Sequence, residues 1–407
     1  MKGIYVDREL EKKVVSYLKR REILAMVGTR QCGKTTLMKH IFRKLVKAKF
    51  ISFEDRNTLD VFTNDIKLFI KNFVDGTKYL FIDEFQYAKN GGKQLKFVYD
   101  TCNTKIIISG SSAAELSVQS IKFLVGRILV FTLSPFSFKE FLKHKDKGLY
   151  DAFRNKKLSK ISIKMINKLY EEYITFGGYP AVVISRTRQE KIDVLRNIFN
   201  TYLLREIKEI LQISDDFKIS KLIKALSLQI GSIVNYNELS SLTGFDYPEL
   251  IRYLGILKKT FICLESRPFF RNKRKEIVKA PRLYFLDNGF RNIAINNFSD
   301  IDLRVDKGPL NENFAASEIF KGGYELQYWR TKAGAEVDFV VEKGGKTIPI
   351  EVKSALKGIK FTRSFRNFVS EYGPERGIIL SKELLVKAAV GKSKIHFVPI
   401  FFISQFV

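Results

Sequence analysis

A chain of 407 residues, 45% hydrophobic and 13% aromatic, has material for roughly two to four packed cores. Its 71 Lys+Arg against 43 Asp+Glu give a formal charge of +28, a field that attracts polyanions, nucleic acid above all, although a solvated lysine-rich surface is the plainer account. No apolar run approaches the ~18 residues needed to cross a bilayer, and "MKGIYVDRELEKK" has no apolar h-region, so a cytoplasmic protein with no membrane partner is expected. The three cysteines (Cys32, Cys102, Cys263) and three histidines stand at no metal-ligand spacing, which argues against structural zinc and disulfides.

In chain order, "EILAMV" (22–27) predicts a short buried strand. "KTTLMKHIFRKLV" (34–46) predicts a helix with Leu37, Ile41 and Leu45 on one face. Between them Gly28-Thr29-Arg30-Gln31-Cys32-Gly33-Lys34-Thr35, followed by Thr36, matches GxxxxGK[ST] in its strand–loop–helix setting. Glycines let the backbone curl until its N–H groups and the helix N-terminus face a triphosphate. Lys34 supplies a point charge to the β and γ phosphates and Thr35 a hydroxyl for Mg²⁺, so ATP and Mg²⁺ are the expected ligands.

"KYLFIDEFQYA" (78–88) predicts a second buried strand, ending in Asp83-Glu84. Asp83 is placed to hold Mg²⁺ through water and Glu84 to polarise the attacking water. A third strand, "KIIISGSSAAEL" (105–116), ends in Ser109-Gly110-Ser111-Ser112. Ser109 stands where a γ phosphate could be sensed, although serines there are also ordinary helix caps. Arg127, in "LVGRILVF" after that strand, is placed to reach transition-state charge in cis, or in trans across a homo-oligomer, or else to brace the following turn.

From about 160 the pattern is helical, with a break at Gly177-Gly178 and Pro180. Residues 218–231, 237–244 and 247–260 then predict three helices, the last with Pro248 in its first turn and Leu250, Leu254 and Leu257 as its buried stripe. With the strand "FICLESR" behind them they fit a winged-helix module. Arg267, Arg271, Lys273, Arg274, Lys275 and Lys279, interleaved with Phe269 and Phe270, read as a wing contacting DNA phosphates or as a solvated hairpin tip.

"EVDFVVEK" and "KTIPIEVK" flank Gly344-Gly345, a pair suited to a type I′ hairpin. That loop sets Lys343 opposite Lys346, Asp338 opposite Glu351 and Glu336 opposite Lys353 on one sheet face. Two opposed carboxylates would share a divalent cation, with Lys353 steadying a hydroxide. An ordinary ion pair between Glu336 and Lys353 is the simpler account.

The stretches "GTRQCGKTTL", "YLFIDEFQYA", "IIISGSSAAEL", "LVGRILVFTLSPFSFKEFL", "FGGYPAVV", "LYFLDNGFRN", "GPLNENFAASEI" and "YWRTKAGAEVDFVV…IPIEVKS" occur in the order found in a group of archaeal and bacterial AAA-type ATPases carrying a C-terminal nuclease-like domain. The chain resembles that group over nearly its whole length. The resemblance implies a helical lid after the nucleotide core, makes Gly126-Arg127 the group's Gly-Arg step, and gives Asp338, Glu351 and Lys353 a PD-(D/E)xK pattern, with Val337 where its proline would stand. By family position it adds Glu312 as a further acid, with Glu318 second.

The expected architecture is therefore α/β: a P-loop AAA-like parallel sheet core (1–150), a helical lid (151–215), a winged-helix module (216–281) and a C-terminal α/β nuclease-like domain (282–407). The expected function is ATP hydrolysis coupled to DNA binding or processing. The alternative is an ATP-switched DNA-binding regulator or scaffold whose nuclease-like domain is inert.

Overall fold

The computed structural model describes residues 5–110, 122–201, 216–270 and 279–406. The chain forms two compact units, one of residues 1–135 with 259–261 and one of residues 136–258 with 262–407.

The first unit is built on a parallel sheet of β1 (Ile23–Gly28), β2 (Ala48–Ser52), β3 (Tyr79–Asp83), β4 (Lys105–Ser109) and β5 (Ile128–Leu133), in the order β2-β3-β4-β1-β5. Alternation along these strands splits their apolar side chains between two faces. Ile23, Ala25, Leu80, Ile82, Ile106 and Ile108 pack with Phe62 of helix Arg56–Asn64 and with Leu95 and Val98 of helix Gly92–Thr101. Leu24, Met26, Phe81, Ile107 and Leu133 pack instead with Val14 of helix Glu9–Ser16 and with Leu37, Met38 and Ile41 of helix Lys34–Phe42. With both faces covered, β1, β4 and most of β3 are buried, which is why these segments read as unbroken apolar runs.

The second unit opens with helices, among them Phe138–Lys145, Lys160–Phe176, Pro180–Ile184 and Arg188–Thr201. Gly177 closes the long helix at φ 78, a backbone conformation that favours glycine, and a Cβ there would fall 2.0 Å from an Asp287 carboxylate oxygen. Helices Asp216–Leu228, Tyr236–Thr243 and Tyr247–Lys259 follow, and Leu250, Leu254 and Leu257 are buried as the stripe predicts.

A mixed sheet then gathers β6 (Cys263–Pro268), β7 (Arg282–Phe285), β8 (Gln327–Arg330), β9 (Glu336–Lys343), β10 (Lys346–Val352), β11 (Arg376–Ser381), β12 (Val386–Val390) and β13 (Ser393–Pro399). Its order is β12-β13-β11-β10-β9-β8-β6-β7. β6 pairs antiparallel with β7 and parallel with β8, so the strand after the three helices belongs to the same sheet as the C-terminal hairpin. Helix Arg363–Tyr372 brings Phe365 and Phe368 into one core with Trp329, Val340, Ile379 and Phe397.

The remaining helix of importance, Lys307–Lys321, is tied in by buried polar contacts as much as by Leu310 and Phe314. Asn313 accepts from Phe285 N–H and donates to Phe285 C=O and Asn288. Arg291 donates to Ser227 C=O and Asp306, while Arg304 reaches the same carboxylate at 2.8 Å. Burial works against ionisation of Asp306, yet the two guanidiniums hold its carboxyl down to about 2.

Candidate functional site

The phosphate loop leaves β1 at Gly28, where φ is 152 and an added Cβ would lie 1.9 Å from Leu133 C=O. Only glycine allows β1 and the end of β5 to approach so closely. Gln31 and Gly33 are left-handed (φ 60 and 97), which curls the loop before the helix begins at Lys34. Cys32 is buried beneath it, whereas Gln31 and Thr36 are exposed and Arg30 and Thr35 are partly exposed. Lys34 is buried and its Nζ donates to Gly28 C=O (2.9 Å) and Thr29 C=O (3.0 Å). Thr29 Oγ1 is buried without a hydrogen-bond partner. A cradle of this shape, with an ammonium parked on its own carbonyls, fits a triphosphate, and Lys34 and Thr35 would hold it together with Mg²⁺.

Across β4, the Ser109 hydroxyl donates to Asp83, and Glu84 N–H donates to Ser109 Oγ at 3.3 Å. Glu84 itself is left-handed (φ 55), and its carboxylate accepts from Gln86. Gly110 N–H reaches Met26 C=O, so the carboxyl ends of β1, β3 and β4 lie side by side and bring Gly28–Thr36, Asp83, Glu84 and Ser109 to one edge. Ser111 and Ser112 lie outside the described residues.

Arg127 is not at that edge. It precedes Ile128, which pairs with Ile23 at the opposite end of β1, about 17 Å from the loop at ~3.3 Å per residue. Its guanidinium binds Asp100 at 2.9 Å. The expected reach in cis is therefore corrected, because the arginine stands at the amino end of a parallel sheet and phosphates bind at the carboxyl end.

One residue that sequence reasoning passed over does reach the loop. Arg8 is buried and donates to Cys32 C=O at 2.9 Å and to Ser134 C=O at 2.5 Å. Only its place before an amphipathic helix hinted at this.

In the second unit the β9–β10 ladder follows the predicted register from Lys343↔Lys346 to Phe339↔Ile350, with Gly344 and Gly345 both left-handed as a type I′ turn requires. Beyond that point the expectation is corrected. Gln327 and Trp329 of β8 face Val340 and Val337, a bulge spanning Asp338. Asp338 Oδ2 accepts from Val352 N–H at 2.7 Å, and Lys353 N–H turns to Leu380 C=O of β11. Glu336 pairs with Arg282 at 2.6 Å rather than with Lys353, and Lys353 pairs with Glu351 at 3.2 Å. Thr362 Oγ1 also donates to Glu351.

Glu312 joins this group. Burial first, then the Asp338 charge, pushes its carboxyl well above the ordinary range. Burial likewise raises Asp338 and Glu351. For Lys353 burial opposes the charge, but Asp338 and Glu351 outweigh it and the ammonium is held on. Gly231 (φ 76) lies over Glu312, where a Cβ would be 3.0 Å from Oε2.

Glu318, the second choice, lies elsewhere. It is buried, accepts from Phe138 N–H at 3.1 Å and pairs with Lys321 at 3.5 Å. Sequence reasoning also missed Arg282, which is buried against Tyr328 (4.7 Å to the ring) and charges the same site. Ser266 Oγ, Arg282 Nε and the Tyr284 hydroxyl are buried there without hydrogen bonds of good geometry. Among the described residues no group of three or more His, Cys, Asp or Glu converges as a metal cage. With Asp338 bound to Val352 N–H and Glu351 to Lys353 and Thr362, the acids as placed do not form the shared cation site expected of them.

The expected wing is only partly in view. Arg271, Lys273, Arg274 and Lys275 lie outside the described residues. Arg267 pairs with Glu265 (3.2 Å), and Phe269 is buried with Trp329 and Phe368, so this aromatic is core rather than a contact surface. No helix among the described residues is long and apolar enough to cross a membrane.

Strand order and loop together define a P-loop domain of the AAA type at the start of the chain. Residues 20–142 match the family model described as AAA domain, and 167–301 and 307–401 match two described as domains of unknown function, DUF8612 and DUF4143. An uncharacterized protein of Haemophilus influenzae is 24% identical, covering 86% of this chain and 85% of that protein. One of Methanocaldococcus jannaschii is 26% identical, covering 94% and 85%. Among solved structures, the Walker-type ATPase PABY2304 of Pyrococcus abyssi is similar at TM-score 0.46 and 16% identity, covering 72% of this chain and 96% of that one. The Orc1 protein of Aeropyrum pernix, solved with DNA, is similar at TM-score 0.33 and 10% identity, covering 72% and 92%.

Proposed function

We propose that the chain binds and hydrolyses ATP and couples this to binding or processing DNA. The observation that carries the ATPase reading is the single sheet edge joining the Gly28–Thr36 cradle to Asp83, Glu84 and Ser109. Lys34 would leave the Gly28 and Thr29 carbonyls for the phosphates, and Thr35 and Asp83 would hold Mg²⁺, which supplies charge neutralisation. Glu84 would orient and polarise the attacking water, and Ser109 would keep Asp83 in place. Arg127 would act only on a neighbouring copy, if at all in catalysis. The DNA part rests on the +28 charge. Steady-state phosphate release with Mg²⁺, with and without DNA, tests both: no turnover by the intact protein ends the first claim, and indifference to every DNA form ends the coupling.

A second reading, favoured by the buried acids of β9, β10 and helix Lys307–Lys321, gives the C-terminal unit phosphodiester cleavage. Glu312, Asp338 and Glu351 would be its acids and Lys353 its cation. Nicking of supercoiled DNA with Mg²⁺ or Mn²⁺, lost in Asp338→Ala, is its test. An unchanged plasmid favours the inert-domain alternative, an ATP-switched regulator or scaffold.

A further inference from the structure

The β9–β10 hairpin tip begins a row of cations that neither site uses. Lys343 of β9 faces Lys346 of β10. Ile350 pairs with Ile378, so Arg376 of β11 stands level with Ile348, two residues from Lys346 on the same face. Arg376 pairs with Lys394 of β13, and His396, again two residues on, pairs with Lys387 of β12. Five adjacent strands thus each present a basic side chain to one face, over a width of about 19 Å at ~4.8 Å per strand.

Lys343, Lys346, Lys387 and Lys394 are exposed, Arg376 partly so. Only Lys346 has a carboxylate partner among the described residues, Glu375 at 2.9 Å. A groove of about 360 Å³ runs between Lys343, Lys346, Thr347, Ile348, Glu375 and Arg376. The field is felt by a neighbour: after burial, Lys387 and Arg376 are the chief charges driving the His396 imidazole below its ordinary proton affinity.

We infer that this row is a docking surface for the phosphate backbone of DNA. The inference rests on the DNA reading above and names a surface for it other than the wing. A narrow groove walled by cations from neighbouring strands suits a linear polyanion, and phosphate contacts need no base readout. An anionic membrane is the competing occupant, but the groove floor, Ile348, is buried and offers nothing to insert.

The test uses the full chain with a labelled duplex, fluorescence anisotropy over a salt series, and three variants. Lys343→Glu/Lys346→Glu/Arg376→Glu should weaken DNA binding at least 10-fold and flatten the log–log salt slope by about 2 to 3, at ~0.9 per lost phosphate contact. The neutral Lys343→Gln/Lys346→Gln/Arg376→Gln, the safer variant for folding, should show the same slope change with a smaller loss. Both should keep ATP turnover and melting temperature. An unchanged slope in these variants, with binding lost instead in Lys273→Glu/Arg274→Glu, overturns the surface and leaves the DNA reading standing. Loss of binding to phosphatidylserine vesicles with DNA binding intact also overturns it. A wild-type chain that ignores DNA at low salt removes the DNA reading itself, and this surface with it.

Discussion

The two sites are made from different materials. At the edge of the parallel sheet, one contiguous loop of eight residues forms the cradle from backbone, and the acids follow one neighbouring strand. At the C-terminal site four elements each lend one or two side chains: Glu312 from a helix, Asp338 from a bulge, Glu351 and Lys353 from the end of β10, and Arg282 from β7. A site of backbone donors is settled once strand, turn and helix form. A site of converging charges depends on how far each is desolvated and on which hydrogen bonds compete for it.

The largest expected effect bears on the backbone site. Lys34→Ala should lower ATP turnover at least about 100-fold, whereas Glu84→Gln should retain bound ATP and fail to cleave it. Equal activity in both variants, measured by phosphate release and filter retention, would erase the distinction between cradle and base.

Next in size is a change to the polar framework of the second unit. Arg291→Ala leaves Asp306 with one guanidinium and Ser227 C=O without its donor, and should cost about 3 kcal/mol in a urea melt. ATP binding by the first unit should survive, which sharpens the contrast between the two regions.

Proton linkage separates them further. Asp306 is held down to about 2, so its contribution is complete above the ordinary Asp range and should be lost as pH falls from ~4 through about 2. Glu312 is shifted the other way. Its burial favours the protonated folded form, so the stability it lends at low pH is lost as pH rises above ~4.3 towards its raised folded value. Glu312→Gln should remove that loss, gaining about 1 kcal/mol on wild type at high pH, and an unaltered pH–stability curve would contradict the burial assigned here.

The smallest effect is expected at Arg127. Alanine there should change turnover by less than about threefold in dilute solution, since only an exposed pair with Asp100 is lost. A loss that grows with protein concentration would reveal action on a second copy.

Much of the first unit was legible as text. The apolar runs at 22–27, 78–88 and 105–116 became β1, β3 and β4, and GxxxxGK[ST] became the cradle, because a doubly covered parallel strand demands near-continuous hydrophobics and a phosphate loop demands glycines at fixed steps. The hairpin register was legible too, through Gly344-Gly345, but only as far as Phe339↔Ile350. The bulge at Asp338, the transfer of Lys353 N–H to β11, the pairing of Glu336 with Arg282 and the burial of Phe269 arise from chain segments far apart in number. Local patterning thus determined elements, turn chemistry and the phosphate loop, whose geometry is closed within a few residues. Tertiary packing alone decided which charges meet, since desolvation and cross-strand competition for a hydrogen bond have no value until distant strands lie side by side.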